Sequence, residues 1–185
     1  MKNSKFAAVA LIALFSFTSC EKDDPIAVNE EELITTVTTT LVAGNQTVTL
    51  TSKDLDGVGP NAPVVTVSGD LLVNTTYTGS TTFLNESVTP VDNITAEVKE
   101  EGYEHQLFYQ APTTIGVFTY TDADKNGKPV GLTFSLRTAA APATGTLTVV
   151  LRHEPNKDAA GVATGSITNA GGATDAQVTF PVQVK

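Results

Sequence analysis

Scarcity bounds this chain. Its 185 residues include one cysteine, one methionine and no tryptophan, and aromatic residues make up 6 %. A lone thiol excludes an intramolecular disulfide, so the fold has to stand on its apolar core. Hydrophobic residues at 41 % make such a core feasible. Few aromatics also mean a poor supply of stacking platforms for sugars, and Tyr103, Phe108, Tyr109, Phe118 and Tyr120 read better as core. Bases are few: 11 Lys and Arg face 20 Asp and Glu, for a net charge of −9. That balance excludes nucleic acid, whose phosphates demand a basic surface, and electrostatic docking on anionic lipid headgroups. No phosphate-cradling glycine loop and no serine in a nucleophile elbow occur, so the chain reads as non-catalytic. Carboxylate pairs can be picked freely from 20 acids, and for that reason they identify no hydrolase.

What is present begins at the N-terminus. Lys2 and Lys5 precede an apolar run from Phe6 to Phe17 broken only by Ser16, and small Ser19 precedes Cys20. The run is short of the ~20 residues a bilayer span needs and has the layout of a secretory signal. Phe17-Thr18-Ser19-Cys20 resembles a bacterial lipobox, with phenylalanine where leucine is usual. The resemblance implies a signal peptide over residues 1–19, cleavage before Cys20 and acylation of its sulfur by palmitate-like chains. Glu21-Lys22-Asp23-Asp24 is similar to the lysine-plus-acid signal that sends lipoproteins of the Bacteroidota to the outer face of the outer membrane. The implied export residues are Lys22, Asp23 and Asp24, and the implied address is the cell surface. Loss of Lys2 and Lys5 with the signal takes the net charge from −9 to −11. Each buried methylene contributes ~0.8 kcal/mol, so two or three chains on one residue hold stably where a single chain does not.

Residues 20–32 read as an acidic tether, and residues 33–185 as a single β domain. Leu33, Val37 and Leu41 share one parity in a Thr-rich segment, as expected of a half-buried strand. Gly44-Asn45 is a two-residue hairpin signal leading to Val48 and Leu50. Val64 to Val67 follows a loop, Gly69-Asp70 reads as a tight turn, and Leu71 to Phe83 alternates through Gly79, which suggests a bulge or a close backbone approach. One short helix is expected over Asn93–Glu101, capped by Asp92, with Ile94 and Val98 on its buried face. Further strands are expected at Tyr103–Gln110, Ile115–Thr121, Leu132–Arg137, Leu147–Arg152 and Gln177–Val184, with Thr138–Gly145 and Ala159–Thr174 as loops. Short strands at this spacing argue for an all-β, antiparallel β-sandwich, immunoglobulin-like or a similar Greek key. A lipocalin-type barrel is the alternative.

The legible chemistry is mostly acidic. Asp122-Ala123-Asp124-Lys125-Asn126-Gly127 resembles the first half of a calcium loop, with oxygens at alternate residues and glycine at the turn. Position twelve is Thr133 and strands flank the loop, so it is not an EF-hand. Calcium held by Asp122, Asp124 and Asn126 is the expectation, shared with Asp54 and Asp56 of the loop Asp54-Leu55-Asp56-Gly57. His105 and His153 are the only histidines, and with a carboxylate they suit zinc, iron or haem. Counting alternate connections of an antiparallel meander places Asp54, Asp56, Asp122, Asp124, Asn126 and His153 at one end, with His105 just inside its strand. The functional expectation is a lipid-anchored outer-membrane binding or adhesion module with an unidentified extracellular ligand. The alternatives are metal or haem capture through His105 and His153, or a surface hydrolase.

Overall fold

Alternating apolar residues become the facing inner rows of two sheets. The computed structural model describes residues 33–57 and 59–185. The signal peptide 1–19, Cys20, Lys22, Asp23, Asp24 and the tether 20–32 lie outside these residues. Among the described residues, no helix is long and apolar enough to cross a membrane. β1 (Thr36–Ala43) and β2 (Gln46–Lys53) form the expected hairpin, with Gly44 at φ 57° supplying the left-handed turn residue. β3 (Val64–Val67) adds to β2, β4 (Thr76–Leu84) pairs with β1, and β6 (Gly116–Tyr120) and β7 (Thr133–Thr138) complete a six-stranded sheet ordered β3-β2-β1-β4-β7-β6. β5 (His105–Gln110), β8 (Ala143–His153) and β9 (Ala173–Val184) make a three-stranded sheet ordered β5-β8-β9. Every pairing of named strands is antiparallel, and the architecture is an all-β sandwich rather than a closed barrel.

The larger sheet contributes Val37, Leu41, Leu50, Tyr77, Phe83, Phe134 and Leu136 to the core, and the smaller Leu107, Leu147, Val149, Leu151, Phe180 and Val182. Burying each of these contributes about 1.5–3 kcal/mol. Outer positions of the larger sheet are mainly hydroxyls: Thr38, Thr51, Thr66 and Thr82 line up across four strands. A second, smaller cluster lies on the outer face of the small sheet, where Phe108 and Val150 meet Val162 and Ala170 from the segment between β8 and β9. That segment contains a short 3-10 helix at Val162–Thr164.

Several local expectations are corrected. Gly69-Asp70 is not a hairpin turn. Leu71 instead bridges Val184 of the small sheet, donating to the Gln183 carbonyl at 2.8 Å, and β4 starts only after Asn74 at φ 52°. The eight-residue β1 offers β4 a longer ladder than four-residue β3 does, so β4 pairs with β1. Gly79 sits in an unbroken register: a Cβ there would fall 2.3 Å from the Phe134 ring, so the glycine admits a side chain and not a bulge. The helix, α1 (Ile94–Glu100), buries Ile94 and Val98 as expected, but Asn93 is its N-cap. The Asp92 carbonyl is taken by Asn85 N–H at 3.0 Å, so the first helical turn opens on the Asn93 carbonyl, which accepts from Ala96, and the Asn93 side chain makes no capping bond. Ala143–Gly145 and Ala173–Thr174 belong to strands, where pairing with each other's strand overrides the weak β propensity of their alanines and glycine.

Candidate functional site

The acids and imidazoles do gather at one end of the sandwich. Thr36 pairs with both Lys53 and Leu84, and Tyr120 pairs with Phe134 beside Thr133, so Asp54 and Asp122 leave the larger sheet at the same end. The opposite end carries the Gly44-Asn45 turn, and there Leu71 meets Val184. His105, His153 and Ala173 therefore lie at the acid-bearing end of the small sheet.

His105 and His153 are direct cross-strand partners on β5 and β8. His105 shares parity with core residues Leu107 and Tyr109, and His153 with Val149 and Leu151, so both rings face the space between the sheets. Their centroids are 4.7 Å apart at 49°. His105 is 1 % exposed, and its Nδ1 lies 3.2 Å from the Glu101 carbonyl just past α1. A hydrogen on Nδ1 that donates to this carbonyl leaves the Nε2 lone pair pointing the other way.

A third group joins them from β9. The register steps from Leu151–Ala176 to Arg152–Thr174, which leaves Asp175 as the extra residue of a β-bulge. Strict alternation would put Asp175 opposite to Ala176, Val178 and Phe180, on the outer face. The bulge turns it inward instead. One Asp175 oxygen lies 3.7 Å from His105 Nε2 and the other 3.9 Å from His153 Nδ1. One donor atom from each of the three residues falls within 4.8 Å of the other two. The side chains of His153 and Asp175 are 14 % and 12 % exposed, so the cluster is closed by His105 on one side and open on the other. A cavity of about 250 Å³ adjoins it, bounded by Asp175, Asp54, Ser52, Ile34 and Leu33.

The expected calcium loop takes a different form. Asp122 accepts backbone N–H groups on both oxygens, from Gly131 at 2.7 Å and Thr133 at 2.9 Å. Asp124 accepts Asn126 N–H at 2.8 Å and Lys128 N–H at 3.0 Å on one oxygen, and the Lys157 ammonium at 2.9 Å on the other. Lys157 is buried and also donates to the carbonyls of Pro129 and Gly102. An ammonium thus takes the Asp124 oxygen that calcium would need, and backbone N–H groups take both oxygens of Asp122. Burial pushes the Asp124 carboxyl up, but hydrogen bonds from Lys157 and the two backbone N–H groups outweigh it and leave the group below its ordinary value. Burial lowers the Lys157 ammonium, and its bond to Asp124 offsets part of that.

Sharing of one ion with Asp54 and Asp56 is also corrected. β2 and β6 are four strand steps apart, about 19 Å at ~4.8 Å per step. Asp56 instead accepts the Asn61 side-chain amide at 2.7 Å and its backbone N–H at 3.3 Å, and these bonds hold its carboxyl below the ordinary value. Of the aromatic group, Tyr109, Phe118 and Tyr120 pack in the sandwich core and Phe108 in the smaller outer cluster, whereas Tyr103 is exposed. Tyr109 stacks on Phe118 at 5.2 Å and donates to the Gly131 carbonyl at 2.7 Å. Tyr120 donates to the Leu107 carbonyl at 2.6 Å, and burial pushes its phenol to about 12.

Sequence reasoning missed Asp175 and Lys157. Asp175 falls on the solvent parity of its strand, and no residue pattern announces the bulge. Lys157 lies in an irregular segment where a lysine is ordinarily solvated. Comparison with protein-family models, curated proteins and solved structures found no match for the chain.

Proposed function

We propose that this protein is a lipid-anchored, non-catalytic binding module of the outer membrane, displayed on the cell surface, whose ligand is held at the acid-bearing end of the sandwich. The observation that carries the ligand part is the meeting of His105, His153 and Asp175, which come from three strands and up to 70 positions apart, beside an open cavity. Core-parity positions on β5 and β8 call for apolar residues. Histidines there break the local pattern, as binding residues commonly do. The anchor part rests on Phe17-Thr18-Ser19-Cys20 and on Lys22, Asp23 and Asp24.

Leu33, the first described residue, borders the same cavity as Asp175, so the chain enters the domain at its binding end. Thirteen tether residues, 20–32, reach about 45 Å at most when fully extended.

The test is metabolic labelling with a fatty acid, followed by protease treatment of intact cells. The wild type takes label and is cleaved from outside, and Cys20→Ser takes no label. Alanines in place of Lys22, Asp23 and Asp24 keep the label and lose the cleavage. Equal labelling of wild type and Cys20→Ser, or protection of the wild type on intact cells, overturns the reading.

A further inference from the structure

We propose that the ligand of this end is a single divalent first-row transition-metal ion, held by Nε2 of His105, Nδ1 of His153 and one carboxylate oxygen of Asp175. The inference deepens the binding-module reading and rests on it for location alone, because the donor set stands on its own geometry.

Two imidazoles and a carboxylate are the donors of open three-ligand sites, in which the fourth position is left to water or an incoming group. An ion with bonds of 2.0–2.2 Å in tetrahedral geometry sets its donors about 3.4 Å apart. Here His105 Nε2 and His153 Nδ1 stand 3.7 and 3.9 Å from different oxygens of Asp175, and one donor atom from each residue lies within 4.8 Å of the other two, so the widest separation has to close by about 1.4 Å at most. Rotation of the Asp175 carboxylate and of the less buried His153 ring supplies that. The outer shell is also in place: the Nδ1 of His105 faces the Glu101 carbonyl at 3.2 Å, the contact that fixes tautomer and ring orientation in metal-bound histidines. His105 is immobilised by burial at 1 % exposure, and the bulge at Asp175 anchors the carboxylate between two paired residues.

The chemistry of the set narrows the ion. Imidazole nitrogen suits zinc, iron(II), cobalt, nickel and copper(II), whereas calcium and magnesium prefer all-oxygen shells. The one cysteine, Cys20, lies outside the described residues, and among these no thiolate is present to favour copper(I). Haem fits less well than a bare ion. The three donor atoms lie within 4.8 Å of one another, too close together to frame a macrocycle, and the adjoining cavity of about 250 Å³ is below the ~300 Å³ at which pockets begin to hold drug-sized molecules. That cavity, which Asp175 borders, gives the ion its way in and leaves room for a small exogenous ligand at the free position.

The experiment uses the full chain in detergent. Zinc binding is measured by equilibrium dialysis, and cobalt(II) serves as the spectroscopic probe. The wild type is expected to bind one zinc per chain, and cobalt(II) to give the intense visible bands of a four-coordinate nitrogen and oxygen site. Asp175→Asn and His153→Gln are expected to weaken zinc at least tenfold, since loss of an outer-shell partner alone costs about 10–100-fold. Asp122→Asn is the control and is expected to leave zinc affinity unchanged. Because His105→Ala opens the core, unfolding curves accompany every variant, and the near-isosteric Asp175→Asn carries the decision. No zinc bound at a tenfold excess over protein, or Asp175→Asn and His153→Gln binding as the wild type does, overturns the proposal. Either outcome leaves the surface-display reading to its own labelling test. Zinc bound by a chain that is protected on intact cells sinks that reading and not this one.

Discussion

Replacing Lys157 by methionine is the sharpest probe of how this end of the sandwich is held together. Methionine keeps most of the apolar stem and deletes the ammonium that bridges Asp124, Pro129 and Gly102. The lysine and aspartate side chains are 6 % and 2 % exposed, so this is a buried pair, and solvent cannot replace the missing donor. Removing one partner of such a pair costs about 3–5 kcal/mol. Asp124 still accepts N–H groups from Asn126 and Lys128, which places the cost near the lower figure, about 3 kcal/mol. In a chain of this size 1 kcal/mol moves Tm by ~2–4 °C, so the expected fall is about 6–12 °C. Urea unfolding with Asp124→Asn, Lys157→Met and the double variant reads the coupling directly. The double variant is expected to lose less than the sum of the singles, by about 1–3 kcal/mol. A loss under about 1 kcal/mol for Lys157→Met, typical of an exposed pair, or strict additivity, refutes the reasoning.

Three further outcomes follow from the same contacts. Millimolar calcium is expected to leave the Tm of the wild type unchanged, because the Lys157 ammonium holds Asp124 and backbone N–H groups hold Asp122, and a rise that Asp124→Ala abolishes contradicts this assignment. In acid, Asp124 has a folded pKa below its ordinary 3.8, so the unfolded chain takes up the proton first. Its stabilisation is complete above that value and lost as the pH falls through the lower folded value, and urea midpoints between pH 5 and 2 should therefore fall less steeply for Asp124→Asn than for the wild type. Gly79→Ala drives a methyl to within 2.3 Å of the Phe134 ring, which is itself packed on Tyr109 at 4.0 Å, and is expected to cost about 1–3 kcal/mol in chemical denaturation. Gly79→Ala with Phe134→Leu should lose less than the two singles summed, and a neutral Gly79→Ala refutes the contact.

Strands were legible wherever one face alone is buried. Val37 and Leu41, Tyr77 through Phe83, and Phe180 through Val184 alternate in sequence and in burial alike, and Gly44-Asn45 names its own hairpin. Leu33 shares the parity of Val37 yet is 50 % exposed, because it precedes the first paired residue of β1. Pairing between distant strands was not legible: nothing local to Thr76–Leu84 says that it binds β1 and not β3. Of the metal cluster, the two histidines were visible as candidates, and their core parity was readable from Leu107 and Leu151. Their contact depends on the β5–β8 register, which the connections between them do not specify. Asp175 was hidden for a different reason, since the bulge reverses the face that alternation assigns to it. Lys157 was hidden because a buried ammonium is unusual and is specified here by three acceptors from separate segments.

The most direct measurement is anomalous diffraction at the zinc edge from crystals of the full chain grown with zinc. The account predicts one strong peak between β5, β8 and β9, 2.0–2.2 Å from His105 Nε2, His153 Nδ1 and an oxygen of Asp175, as zinc bonds require. Density showing the two imidazoles and the carboxylate joined with no peak between them, while zinc sits elsewhere or nowhere, contradicts it.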